Sequence, residues 1–221
     1  MPNTSLRAAH WALSPAFRSW FRLMVDGEGS VPGGGGVLLA ANHRSFLDHF
    51  ALSASCRRAP RFLGKVELAH GLVGRFNVLM GMVPVERGRA DLAALEAVVG
   101  LLRSGEVVGV FPEGTRSPTG RLHRFRSGLG RIAAEAACPV VPVGLVGMTE
   151  VWPRGERLDW RHRPAPGTLA VRFGEVLDPP SAEPRSRRAF TEECHRRVAE
   201  LCGQPVDQTF APIPYRPRSD P

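Results

Sequence analysis

Short apolar runs and longer mixed stretches alternate along most of the chain. Residues 37–40, 61–63, 82–85, 107–111, 140–146 and 168–173 are brief and rich in valine and other apolar residues. Between the first five lie 45–56, 67–79, 91–103 and 127–137, each long enough for a helix. Strands alternating with helices of this length predict βαβ units and a largely parallel central sheet covered by helices, an α/β fold. The runs VVGVF and VVPVGLV are apolar at every position, as strands buried on both faces require. A last helix is expected over 185–201, and residues 147–166 read as a long surface loop. The final stretch, QPVDQTFAPIPYRPRSDP, carries prolines that oppose regular structure.

Ahead of this pattern, residues 27–36 (GEGSVPGGGG) form a turn-rich break. Before the break, Trp11, Phe17, Trp20 and Phe21 fall roughly on one helical stripe among Arg7, Arg18 and Arg22. Pro15 is expected to kink or divide that helix. Such an amphipathic N-terminal helix could lie on an anionic membrane surface, or it could pack on the domain through the same aromatics. The chain therefore divides into 1–26, a membrane-surface helix; 27–203, the α/β domain; and 204–221, a Pro-rich tail.

Composition narrows the function. With 221 residues and 43% hydrophobic content the chain can build a single core, which excludes wholesale disorder. Its 29 basic against 21 acidic residues give a formal charge of +8, which suggests an anionic partner. No helix-turn-helix, zinc-finger or RNA-binding strand pattern accompanies that charge, so nucleic acid is not expected. The 4 cysteines show neither zinc spacing nor a disulfide framework, which points to a reducing, cytoplasmic compartment and no metal. No apolar run is long enough to span a bilayer, and no signal peptide is expected at the arginine-studded N-terminus.

Three blocks at strand ends carry candidate chemistry, where α/β folds place their sites. The first is Asn42-His43-Arg44-Ser45-Phe46-Leu47-Asp48. Five residues separate His43 from Asp48, so the two meet only if a turn intervenes before the helix. In that arrangement Asp48 would orient the imidazole, while Ser45-x-x-Asp48 also reads as a helix cap. The second block delivers Arg87 at the end of a strand. The third, Phe111-Pro112-Glu113-Gly114-Thr115-Arg116-Ser117, turns sharply and presents Glu113, Gly114, Thr115 and Arg116 to a crevice. Arg87, Arg116 and Lys65 make a convergent basic set suited to a phosphate.

Taken in order, NHRSFLD, GMVPVER, FPEGTRS and VVPV (140–143) resemble the four motifs of the glycerolipid acyltransferase family, which contains the 1-acylglycerol-3-phosphate acyltransferases. Lys65-Val66-Glu67-Leu68 and Phe125-Arg126-Ser127-Gly128 resemble two further family segments, and 171–177 its final strand. The similarity covers about 37–201 and departs at Pro84, inside the second motif, and at Arg126, where the family has lysine.

The resemblance implies a glycerol-3-phosphate-acyltransferase-like fold and acyl transfer to a lysophospholipid hydroxyl. The donor would be a thioester, acyl-CoA or acyl carrier protein, and no cofactor is implied. His43 would be the general base, oriented by Asp48. Lys65, Arg87 and Arg116 would hold the acceptor phosphate beside Gly114 and Thr115, while Glu113 would bind an acceptor hydroxyl or lock Arg116. The setting would be the cytoplasmic face of a membrane, held peripherally. A catalytically silent lipid-binding protein on the same fold is the alternative. His49 is expected to point away from the motif, and His70, His123, His162 and His195 to lie at the surface or at helix caps. A serine-hydrolase reading of Ser45 fails, because triad members within six residues cannot align and no G-x-S-x-G elbow occurs.

Overall fold

The computed structural model describes residues 4–85, 91–159, 161 and 163–212. Among the described residues seven strands form one sheet: β1 (Met24–Asp26), β2 (Val37–Ala41), β3 (Arg61–Lys65), β4 (Met82–Val85), β5 (Val107–Val110), β6 (Val140–Val146) and β7 (Ala170–Phe173). Their order is β1-β7-β6-β2-β5-β3-β4, and every pairing is parallel except β6 with β7. The helices are α1 (Thr4–Trp20), α2 (Leu47–Ser55), α3 (Gly71–Leu79), α4 (Asp91–Arg103), α5 (Gly128–Ala136), α6 (Met148–Val151) and α7 (Pro184–Cys202).

All five residues of β2 are buried. Val37, Leu39 and Ala41 face a core shared with Leu47, Ala51 and Leu52 of α2 and Met148 and Val151 of α6. Leu38 and Ala40 face the opposite core with Val98 of α4, Leu129 of α5 and Val198 of α7. Period-two alternation thus feeds two apolar layers, as a sheet covered on both sides demands. Gly144 shows how closely one cover lies. A Cβ there would sit 2.5 Å from the Leu201 carbonyl carbon, so only glycine lets α7 rest on β6.

The connection leaving β2 passes over one face through α2, and that leaving neighbouring β5 over the other through α5. Adjacent parallel strands with oppositely directed connections open a crevice at their carboxyl ends. Both motif loops start there.

Several expectations are corrected. The N-terminal aromatics do not share one stripe. Phe21 is buried and Phe17 packs against the core, whereas Trp11 and Trp20 are 69% and 47% exposed. Helix α1 runs through Pro15 instead of dividing, because it is fastened on both sides of the proline. His10 Nε2 bonds the Cys56 carbonyl at 2.9 Å, while Arg18 donates to the carbonyls of Ala54 (2.8 Å) and Ser55 (2.9 Å). These are orphan acceptors at the end of α2, and a guanidinium there also meets the negative pole of that helix.

Just ahead of residue 27, β1 extends the sheet by pairing with β7. Residues 204–212 also pack on the domain, where Leu122 and Val206 form a parallel bridge. The 147–166 loop contains α6, and Trp152 within it is partly buried against Phe46 at a ring separation of 5.0 Å. Pro84 sits in β4, which among the described residues is an edge strand paired with β3, where a missing N–H is tolerated.

Candidate active site

Strand β2 ends at Ala41, and the next residue, Asn42, is fully buried. Its Oδ1 accepts the Leu145 N–H at 2.7 Å and its Nδ2 donates to the Leu145 carbonyl at 2.9 Å, tying the strand end to β6. His43 follows in the turn. Its Nδ1 lies 2.8 Å from Asp48 Oδ2, in the first turn of α2. The same oxygen accepts the backbone N–H groups of Arg44 (2.7 Å) and Ser45 (2.8 Å). Ser45 Oγ accepts the Leu47 N–H and donates to the Trp152 carbonyl. The helix cap and the dyad are thus one construction.

A carboxylate already holding two N–H donors requires a third donor from the ring, so Nδ1 carries the proton. In the neutral ring Nε2 then keeps its lone pair, the state a general base needs.

The turn after β5 holds the backbone of His43 at both ends. Its N–H donates to Glu113 Oε1 at 2.8 Å and its carbonyl accepts the Ser117 N–H at 2.8 Å. The other Glu113 oxygen accepts the His123 N–H at 3.0 Å. Glu113 is 1% exposed, and neither oxygen lies on Arg116 or faces open solvent. In place of the expected acceptor hydroxyl or Arg116, both oxygens meet backbone N–H groups, one of them that of His43. Burial pushes its pKa up to about 7, against the pull of the two N–H bonds. The Arg44 charge nearby also favours the ionised form.

Gly114 makes the turn with φ 79°, and a Cβ there would meet Arg126 Nε at 2.7 Å. Thr115 and Arg116 follow, both half-buried, on the same loop. No side chain among the described residues forms a hydrogen bond or ion pair with Arg116, though its positive charge helps disfavour protonation of His49. The backbone of Lys65 ends β3, one strand beyond β5. Arg87 lies outside the described residues, as do His162 and Trp160.

His49 lies elsewhere than expected. One turn into α2, its ring stands edge-on to His43 at 5.2 Å and against Phe111 at 4.7 Å, while Phe111 stacks on His43 at 4.0 Å. Desolvation first, then the neighbouring His43, pushes its pKa down to about 4, so it is neutral beside His43. Spacing on an ideal helix missed this because His43 sits in the turn and folds back over α2. His123, expected at the surface, is buried behind Glu113.

The model of the family described as Acyltransferase matches residues 22–146, more than half of the chain and both motif loops. The chain belongs to the acyltransferase family. It is 32% identical over 149 residues to a chloroplastic 1-acyl-sn-glycerol-3-phosphate acyltransferase of Arabidopsis thaliana, covering 66% of the present chain and 41% of the plant protein. A chloroplastic counterpart from Brassica napus is 37% identical over 118 residues, 52% of this chain and 34% of its own. The chain thus spans less than half the length of these curated relatives. The crystal structure of the 1-acyl-sn-glycerophosphate acyltransferase PlsC from Thermotoga maritima superposes with a TM-score of 0.71 at 27% identity, over 89% of this chain and 79% of that one. The mostly parallel sheet is therefore the fold of a solved acyltransferase.

Proposed function

We propose that the protein transfers a fatty acyl group from a thioester, acyl-CoA or acyl carrier protein, to the free hydroxyl of 1-acylglycerol-3-phosphate or a similar lysophospholipid. The observation that carries this reading is the His43 ring itself. Its Nδ1 is committed to Asp48 and its Nε2 is left as the acceptor of a proton, in a crevice that also holds Arg116, which no side chain among the described residues pairs. His43 Nε2 removes the hydroxyl proton as that oxygen attacks the thioester carbonyl. Asp48 stabilises the imidazolium that results. The C–S bond of the tetrahedral intermediate then breaks, and the thiolate departs and recovers the proton from His43. A thiol of pKa about 8.5 leaves readily, so no covalent enzyme intermediate is needed.

Arg116, with Lys65 and Arg87, holds the acceptor phosphate and so brings its hydroxyl to His43. Gly114 leaves the loop backbone open beside that phosphate, and Thr115 adds a hydroxyl. The protein works at the cytoplasmic face of a membrane, held peripherally. Exposed Trp11, Leu13 and Trp20 on α1 support this, as does the absence of any acidic residue in that helix. No helix among the described residues is long and apolar enough to cross a membrane.

The deciding experiment incubates the purified protein with labelled acyl-CoA and a panel of lysophospholipids and repeats it with His43→Ala. The expected loss of turnover is at least about 100-fold, the usual contribution of a general base. A loss below about tenfold removes His43 from the chemistry. A folded protein that binds the lipids but acylates none of them is a silent lipid-binding relative.

A further inference from the structure

The chain does not leave the domain when α7 ends. Gly203 takes a left-handed backbone at φ 66° and closes the helix. The next residue, Gln204, turns inward and is buried. Its Oε1 accepts a hydrogen bond from Asn42 Nδ2 at 2.6 Å, and its Nε2 donates to the Gly120 carbonyl at 2.8 Å. One carboxamide thus joins the residue preceding His43 to the loop that continues from Glu113.

Beyond Gln204 the chain runs beside residues 121–126 as an added strand would. The Pro205 carbonyl accepts the Leu122 N–H at 2.9 Å, the Leu122 carbonyl accepts the Asp207 N–H at 2.8 Å, and the Thr209 carbonyl accepts the Arg124 N–H at 3.0 Å. The guanidinium groups of Arg124 and Arg126 lie 5.3 and 5.5 Å from the centre of the Phe210 ring. Arg126 also donates to the carbonyls of Ala211 (2.9 Å) and Glu113 (3.3 Å).

We propose that Gln204 is a positioning residue for His43, acting through Asn42, and that residues 204–211 hold it there by packing along the loop that continues from Glu113. The inference rests on the reading of His43 as the base. Both amide hydrogens of Asn42 are spoken for, one by Leu145 and one by Gln204. Without Gln204 a fully buried N–H loses its acceptor, and such groups relax by turning towards another. Turning Asn42 moves the corner from which His43 projects. Gln204 lies far beyond the family match, which ends at 146, and touches no reacting atom.

The test is Gln204→Met, which keeps the length of the side chain and removes both bonds. Misplacement of a reacting group by about 1 Å costs about 100-fold, and His43 retains its bonds to Asp48, Glu113 and Ser117, so the expected fall in kcat is about tenfold with KM for either substrate within about twofold. Asn42→Ala and the double variant complete a cycle. If Gln204 acts through Asn42, the double variant is no slower than Asn42→Ala alone, whereas general loosening of the fold multiplies the two losses. Wild-type kcat in Gln204→Met, or multiplied losses, overturns the proposal.

Should Gln204→Met fail to fold, Phe210→Ala releases the same segment from a half-exposed ring and is expected to lower kcat a few-fold at constant KM; an unchanged kcat overturns the proposal. His43→Ala in the same assay separates the two readings. If it stays active, the base assignment has failed. If it is inactive while Gln204→Met is unaffected, only the positioning role has.

Discussion

The loop after β2 and the loop after β5 reach the same crevice in opposite conditions. His43 is held at its ring nitrogen by Asp48, at its N–H by Glu113 and at its carbonyl by Ser117, with aromatic rings against its face and edge. Arg116, three residues beyond Glu113, has no hydrogen-bond or ion-pair partner among the described residues. A base must be placed before the reaction starts, because reorganising it during the reaction adds to the barrier. A cation that receives a phosphate is best left unpaired, since an internal carboxylate would compete with the ligand. On the proposed reading, one side of the site is finished in the free protein and the other would be completed by substrate.

Substitutions can break that contrast. Asp48→Asn should cost the most after loss of His43 itself. The amide cannot take three N–H bonds at one oxygen and stabilise an imidazolium, so kcat should fall by about 10²- to 10⁴-fold. Acyl-transfer kinetics within about tenfold of wild type would mean that the bond between Asp48 and His43 is a helix cap and no more.

On the unfinished side, Arg116→Ala should raise KM for the lysophosphatidate acceptor about tenfold and leave the thioester KM within about twofold, because it removes contacts to one substrate. Arg116→Lys should recover little of the loss, lacking the planar fork. Equal damage to both substrates would assign Arg116 to the turn and erase the contrast.

Glu113 sharpens the finished side through pH. Its pKa is raised to about 7, so the folded state holds the proton more tightly than the unfolded one. That stabilisation is complete below the ordinary carboxylate range and is lost as pH rises through about 7. The Tm difference between Glu113→Gln and the wild type should therefore move in the variant's favour between about pH 5 and about pH 8. A pH-independent difference would show that the bracing carboxylate does not titrate there.

The smallest effect concerns α1. Trp11→Glu with Trp20→Glu should reduce co-sedimentation with anionic vesicles a few-fold, with little change in Tm because both rings face outward. Unchanged sedimentation would make α1 a scaffold helix and nothing else.

Alternation alone made six of the seven strands among the described residues legible, and ordered motifs singled out His43 and Asp48, which the structure joins at 2.8 Å. What stayed hidden had identifiable causes. Strand β1 is three residues long, too short for a period to register. Phe17 and Phe21 were counted with Trp11 and Trp20 because a helical stripe does not say which edge a core will take. Glu113 looked like a ligand-binding carboxylate because residue type cannot reveal that both oxygens are used by backbone N–H groups. Gln204 gave no signal, since an isolated glutamine after a helix is the least informative of residues and its partners lie 162 and 84 positions away.

Helix α2 carries Asp48 in its first turn, and the carbonyls at its far end are gripped by His10 and Arg18 of α1. Its nine residues are a rod of about 14 Å at 1.5 Å per residue. The rod works as a ruler between α1 and Asp48, the partner of His43. On the proposed reading, in which α1 rests on lipid, that ruler would set the height at which an acceptor must rise to meet His43. An added turn in α2 would lift the chemistry by about 5 Å without altering a single residue of the site.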